Sequence, residues 1–128
     1  MIGYLLDTHT AIWFFNGDVK LSKNARQIIS DRSNPIYLSI ASAWEVAIKL
    51  CIGKLDIAGK TEDFIQDAET NKITILPIKT THLNSLESLP MIHRDPFDRL
   101  LIATALAENM TLITADENFA QYKVPQIW

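Results

Sequence analysis

Short apolar runs alternate with helical stretches along almost the whole chain, and this alternation limits the fold more than any other feature. Ile2 to Leu6 reads as a short buried strand that ends at Asp7. A helix is expected from Thr8 through Phe15, stopping at Asn16-Gly17-Asp18, and Ser22 can cap a second one reaching about Ile29. After Ser33-Asn34-Pro35, Ile36-Tyr37-Leu38-Ser39 reads as the second strand. Ser42-Ala43-Trp44-Glu45 matches a capping box opening a helix that should end near Gly53. Thr61-Glu62-Asp63 starts another helix, Ile73-Thr74-Ile75-Leu76 is the third strand, and a helical stretch runs from Thr80 to Leu89.

The sharpest local signal is Asp95-Pro96-Phe97-Asp98, an Asp N-cap followed by Pro at the first helical position. The residues that follow, Arg99 to Asn109, are apolar on almost every face, so this helix should be buried, with Asn109 at its end. Thr111-Leu112-Ile113-Thr114 is the fourth strand, and a short last one is expected around Gln126-Ile127-Trp128. Strands alternating with helices imply an α/β fold whose mostly parallel sheet of four to five strands is covered on both faces. With no repeat, low-complexity tract or linker, residues 1–128 are expected to form one domain.

A chain of 128 residues can bury roughly two-thirds of its unfolded surface, so no disulfide or structural metal is needed. Its single cysteine, Cys51, cannot form an intrachain disulfide and is expected to pack as a small hydrophobe. The N-terminus lacks the pattern of a signal peptide, and no apolar run approaches the ~20 residues that span a bilayer. A cytoplasmic protein without a membrane partner is the expectation. A net charge of −3 argues against a module that grips nucleic acid through phosphate contacts alone, unless a metal supplies positive charge.

Four acids fall where such a metal would be held. Asp7 and Asp116 follow predicted strand ends, while Glu45 and Asp98 lie in the first turns of helices. Strand C-termini and the helix N-termini after them share one edge of an α/β sheet, where the ligand crevice lies. Carboxylates gathered there repel one another, and a hard divalent cation such as Mg²⁺ or Mn²⁺ relieves the repulsion. With one or two such ions, water can cut a phosphodiester. Each acid also has a plainer role available. Asp7 could cap a helix, Glu45 could be the capping-box partner of Ser42 or pair with Lys49, Asp98 could favour the helix dipole, and Asp116 could begin a turn. For Asp95 the N-cap role suffices, with a water-mediated metal contact as the alternative. Zinc is not indicated, because there is no Cys pair and His9, His82 and His93 are not spaced as a ligand set.

Leu5-Leu6-Asp7-Thr8-His9, Ser42-Ala43-Trp44-Glu45-Val46-Ala47-Ile48-Lys49, His93-Arg94-Asp95-Pro96-Phe97-Asp98-Arg99-Leu100-Leu101-Ile102-Ala103 and Leu112-Ile113-Thr114-Ala115-Asp116 carry a resemblance. In order and spacing they resemble the four motifs of PIN-domain proteins, from about residue 2 to the C-terminus, and within that family the VapC-type toxins of prokaryotic toxin–antitoxin pairs. The resemblance implies a doubly wound α/β/α sandwich and a Mg²⁺- or Mn²⁺-dependent endoribonuclease acting on RNA. It also implies a homodimer inhibited by a cognate antitoxin. Asp7, Glu45, Asp98 and Asp116 fall on the family's acidic positions, and Thr114 falls where a small hydroxyl residue could orient a carboxylate or water.

Around these motifs, Lys49, Lys54, Arg94 and Arg99 either line the path of an RNA backbone or are solvated surface charges. His9 and His93 are expected to cap or pack, with phosphate contact as the alternative. Trp13-Phe14-Phe15 reads as core plus an apolar patch for a dimer or antitoxin, rather than a base-stacking platform. Two other functions use the same sheet: a phosphotransfer domain with Asp7 as nucleophile and Lys79 at the phosphoryl group, and a non-catalytic binding module. A nuclease for structured DNA is a further variant, for which the chain leaves little room.

Overall fold

A computed structural model of the chain describes residues 3–55 and 57–128. Five strands form one sheet: β1 (Tyr4–Leu6), β2 (Ile36–Ser39), β3 (Thr74–Leu76), β4 (Thr111–Ile113) and β5 (Gln126–Ile127). Every pairing is parallel, in the order β3-β2-β1-β4-β5. The Ile2 end of the first predicted strand lies outside the described residues. Among the described residues six α-helices connect the strands: α1 (Thr8–Asn16), α2 (Lys23–Ser30), α3 (Ile40–Cys51), α4 (Thr61–Thr70), α5 (Thr80–Glu87) and α6 (Pro96–Glu108). A 3₁₀ helix (Glu117–Tyr122), absent from the sequence reading, leads into β5.

The strand period of two sorts the apolar side chains to opposite faces. Leu6, Ile113, Ile36 and Leu38 join Ala11, Ile12, Ala25, Ile29, Val46 and Phe64 in one core, beneath α1 to α4. Leu5 and Leu112 point the other way, into a core with Leu101, Ile102 and Ala105 of α6 and with Phe119 and Tyr122. The result is the expected three-layer α/β/α arrangement. Each fully buried Leu or Ile in these layers contributes roughly 1.5–3 kcal/mol relative to exposure, and the central strands carry most of them.

Local chemistry sets the helix ends. Gly17, at φ 64°, closes α1, and its N–H reaches back to the Phe14 carbonyl. Ser22 Oγ accepts the Ala25 N–H at 3.0 Å, as its N-cap role requires. Asp95 Oδ1 accepts the N–H groups of Phe97 and Asp98 at 2.8 and 3.2 Å, and Pro96 follows at the first helical position. Asn109, at φ 55°, ends α6.

The start of α3 differs from expectation. Ser39, not Ser42, is the N-cap, accepting the Ala41 N–H at 3.0 Å. Ser42 lies a turn inside the helix, so Glu45 is not the acid of a capping box. Cys51 corrects a second expectation: it is exposed at the last residue of α3, on the side away from the core. No helix among the described residues is long and apolar enough to cross a membrane.

Candidate functional site

Strand β1 is central, and the chain reverses its direction of travel across the sheet beside it. From β1 it builds outward through β2 to β3, then returns to place β4 on β1's other flank. The carboxyl ends of β1 and β4 therefore border a switch-point crevice. Leu6 is in register with Ile113, so Asp7 and Thr114 leave the sheet side by side. The Asp7 N–H donates to the Ile113 carbonyl at 3.1 Å, and Thr114 Oγ1 donates to Asp7 Oδ2 at 2.9 Å. The same Thr114 oxygen accepts the Asp116 N–H at 3.1 Å. Asp116 Oδ1 in turn caps the 3₁₀ helix through the Asn118 N–H at 2.9 Å.

Helix α3 brings in Glu45. Thr8 Oγ1 donates to Ser42 Oγ at 2.9 Å, which fastens the start of α1 to α3 one turn before the acid. Glu45 is buried, and Lys49 one turn on pairs with it at 2.8 Å. Of its plainer roles, the i,i+4 pair is the one present. Asp7 stands at the N-cap of α1, but its side chain makes no capping hydrogen bond there.

Asp98, in the first turn of α6, completes the set. Burial pushes its carboxyl up to about 8, and the negative charges of Asp95, Asp7, Glu45 and Asp116 act in the same direction. Burial also raises Asp7 above the usual carboxylate range, against the hydrogen bond from Thr114; Glu45 adds to the rise. Asp98 thus feels the other three acids and Asp7 feels Glu45, as expected when carboxylates share a crevice with too little positive charge.

His93, expected to cap or pack, enters this cluster. Donor atoms of His93, Asp98 and Asp116 all lie within 4.8 Å of one another. The Asp95 N–H donates to His93 Nδ1 at 3.2 Å, which leaves the hydrogen on Nε2, facing Asp98 Oδ2 at 3.1 Å. In this arrangement His93 holds Asp98 as a donor, whereas a metal ligand would need a free lone pair at Nε2. The group that best suits the four acids is therefore an oxygen-seeking ion such as Mg²⁺ or Mn²⁺.

Arg99 also departs from expectation. It is buried, and Nη1 donates to the Pro90 carbonyl at 2.9 Å and to Tyr122 Oη at 3.4 Å. Tyr122 Oη also accepts the His93 N–H. Arg99 thus ties the segment before α6 to the 3₁₀ helix instead of lining a path for RNA. Lys79, required by a phosphotransfer reading, pairs with Glu108 at 3.1 Å, and Glu108 also meets His82 Nε2 at 3.1 Å. Its charge is spent there.

Two clefts adjoin the acids. One of about 330 Å³ is lined by Asp7, His9, Trp13, Ala115 and Asp116. Another of about 220 Å³ is lined by Ile92, His93, Arg94, Asn118 and Gln121. Trp13 stands edge-on to Trp128, with ring centroids 5.9 Å apart, while Phe15 packs against Phe64 of the core.

Comparison with solved structures places this fold among known ones. Over 99% of this chain and 98% of the other, it superposes on a chain of VapBC2 from Rickettsia felis bound to a promoter DNA fragment, with a TM-score of 0.72 at 18% identity. A chain of DNA-bound VapBC from Salmonella typhimurium gives 0.69 at 16% identity, over 100% and 98% of the two chains. FitAcB from Neisseria gonorrhoeae gives 0.63 at 20% identity, over 98% and 96%. No curated protein sequence matches the chain. The profile of the PIN domain family matches residues 4–125, nearly the whole length. The chain belongs to the PIN domain family.

Proposed function

We propose that the protein is a metal-dependent endoribonuclease, the toxin of a toxin–antitoxin pair, with Asp7, Glu45, Asp98 and Asp116 as its site. The observation that carries this reading is the gathering of four carboxylates, from the end of β1, α3, α6 and the segment after β4: burial raises Asp98 to about 8, and the charges of Asp7, Glu45 and Asp116 add to the rise. Oxygen donors so crowded fit Mg²⁺ or Mn²⁺. When bound, the ion would supply positive charge at the scissile phosphate and lower the pKa of a water.

The chain's own residues have separable tasks in this reading. Asp7, oriented by Thr114, and Asp98, oriented by His93, would hold the cation. Glu45 and Asp116 would complete the oxygen set, directly or through waters, and help orient or deprotonate the attacking water. The exposed His9 and the Trp13 ring flank Asp7 and Asp116 on the wall of the larger cleft, where a nucleotide strand would lie.

The motif resemblance and the likeness to chains solved as VapBC and FitAcB support a cognate antitoxin as partner. An apolar strip supports a protein partner or a second copy: Ile40, Trp44 and Ile48 of α3 and Ile52 at its C-cap recur every four residues, all exposed. Trp44 stacks edge-on against Phe97 of α6, with centroids 5.1 Å apart, so the strip continues to the helix that carries Asp98.

The test is cleavage of a mixed RNA pool by wild-type, Asp7→Asn and Asp98→Asn proteins, with Mg²⁺, with Mn²⁺ and with EDTA. Cutting by the wild type that needs metal and is lost in both variants is expected. Metal-independent cutting, or full activity in either variant, would overturn the assignment.

A further inference from the structure

The smaller cleft is chemically unlike the acid cluster beside it. Its walls are Ile92, His93, Arg94, Asn118 and Gln121, around about 220 Å³. It shares His93 with the cluster, and Asn118 follows Asp116 by two residues, with its N–H held by that carboxylate. The side chains of Arg94, Asn118 and Gln121 make no hydrogen bond or ion pair with the rest of the described residues. Two amides and a guanidinium, all with unused donors or acceptors, thus surround a space next to the proposed point of cutting.

We propose that this cleft binds one purine base of the RNA strand, the base beside the scissile phosphate, and that Asn118, Gln121 and Arg94 read its edge. The inference rests on the ribonuclease reading above and adds a source of sequence preference to it. Size limits the occupant, since the cleft falls short of the roughly 300 Å³ at which pockets for drug-sized ligands begin.

Charge excludes a second phosphate: one guanidinium faces the field of Asp95, Asp98 and Asp116, which repels anions and leaves a neutral base as the favoured guest. Residue type selects the base. An Asn or Gln amide pairs in bidentate fashion with adenine, and Arg does so with guanine. Both edges are open in a single strand, which is how RNA sequence is generally read. Ile92, exposed at the rim, offers an apolar surface to the base face.

The test compares cut sites in a randomised RNA for the wild type and an Asn118→Ala/Gln121→Ala double variant, both with Mg²⁺. Both side chains are exposed, so the variant should fold, and its thermal shift on Mg²⁺ addition should match the wild type. The wild type should favour a purine at one position flanking the cut, and the variant should lose roughly tenfold of that preference. Independently of cleavage, adenosine and guanosine 5′-monophosphates should move the side-chain amide NMR signals of Asn118 and Gln121, and the pyrimidine nucleotides should not. Metal-dependent cutting with no purine preference, or with a preference the double variant keeps, overturns this inference and leaves the ribonuclease reading standing. A wild type that cuts no RNA with either metal overturns both.

Discussion

Thr114 Oγ1 donates to Asp7 Oδ2 at 2.9 Å across the gap between two neighbouring strands, joining residues 107 positions apart in the chain. The bond aims the Asp7 carboxylate, and because the same hydroxyl accepts the Asp116 N–H, one oxygen sets two acids. Thr114→Val keeps the shape and removes both bonds. A hydrogen bond to a charged group is worth roughly 1.5–3 kcal/mol, so kcat should fall about tenfold or more. Thr114→Ser should retain most of the rate. Steady-state cleavage with Mg²⁺ checks this, and an unaltered kcat in Thr114→Val would remove Thr114 from the site.

Asp98 makes stability depend on pH in a direction opposite to most surface acids. Its ordinary value is 3.8 and its value in the fold is about 8, so across that interval the folded chain keeps a proton that the unfolded chain releases. The stability this contributes is fully present below the ordinary Asp range and is lost as pH rises through about 8. In EDTA, Asp98→Asn should therefore melt above the wild type at pH 8, by roughly 3–5 °C for each kcal/mol recovered. The two curves should coincide near pH 4. Saturating Mg²⁺ should reverse the order at pH 8, because only the wild type keeps the full oxygen set. Melts with no crossover between EDTA and Mg²⁺ would contradict the assignment.

Asp95 caps α6 and also raises Asp98, and substitution separates the two effects. Asp95→Asn keeps a good N-cap but removes the charge, so Asp98 should titrate lower with little change in melting temperature. Asp95→Ala removes the cap as well and should cost about 1 kcal/mol. Carboxyl ¹³C titration by NMR, beside thermal melts, distinguishes them.

Lys49 is the internal counter-ion of Glu45, at 2.8 Å. Lys49→Met should leave a buried carboxylate unpaired, lowering metal-free stability while freeing Glu45 for an incoming cation. Isothermal titration should then give tighter Mn²⁺ binding by roughly tenfold, the factor for 1.4 kcal/mol. Lys49→Arg should behave as the wild type, and weaker binding in Lys49→Met would assign Lys49 a different role.

Local chemistry in the sequence announces most of the elements. Asp95-Pro96 fixed the start of α6, Asn16-Gly17 the end of α1, and the apolar run at Ile36 a strand with the expected bounds. The start of α3 is ambiguous in the sequence because two serines three residues apart, Ser39 and Ser42, each satisfy an N-cap pattern. Only the backbone, extended at Ser39 with φ −67° and ψ 141°, decides between them. The strand order was not legible, since no local pattern names the neighbour of a parallel strand. The places of His93 and Arg99 are hidden for a related reason: Tyr122, 23 to 29 positions away in the chain, meets both, accepting from the His93 N–H and from Arg99 Nη1. All four acids lie in short motifs, yet the influence of the others on Asp98 is set by the fold.

The position of β4 has a consequence for synthesis. It pairs with β1 on one side and β5 on the other, but it is made second to last. A growing chain that stops before residue 111 holds Asp7, Glu45 and Asp98 yet lacks the strand that carries Thr114 and leads to Asp116. Pairings between chain ends form late, because the loop must close before the contacts can reward it. On the proposed ribonuclease reading, the acid site would stay incomplete until β4 has been made and paired with β1.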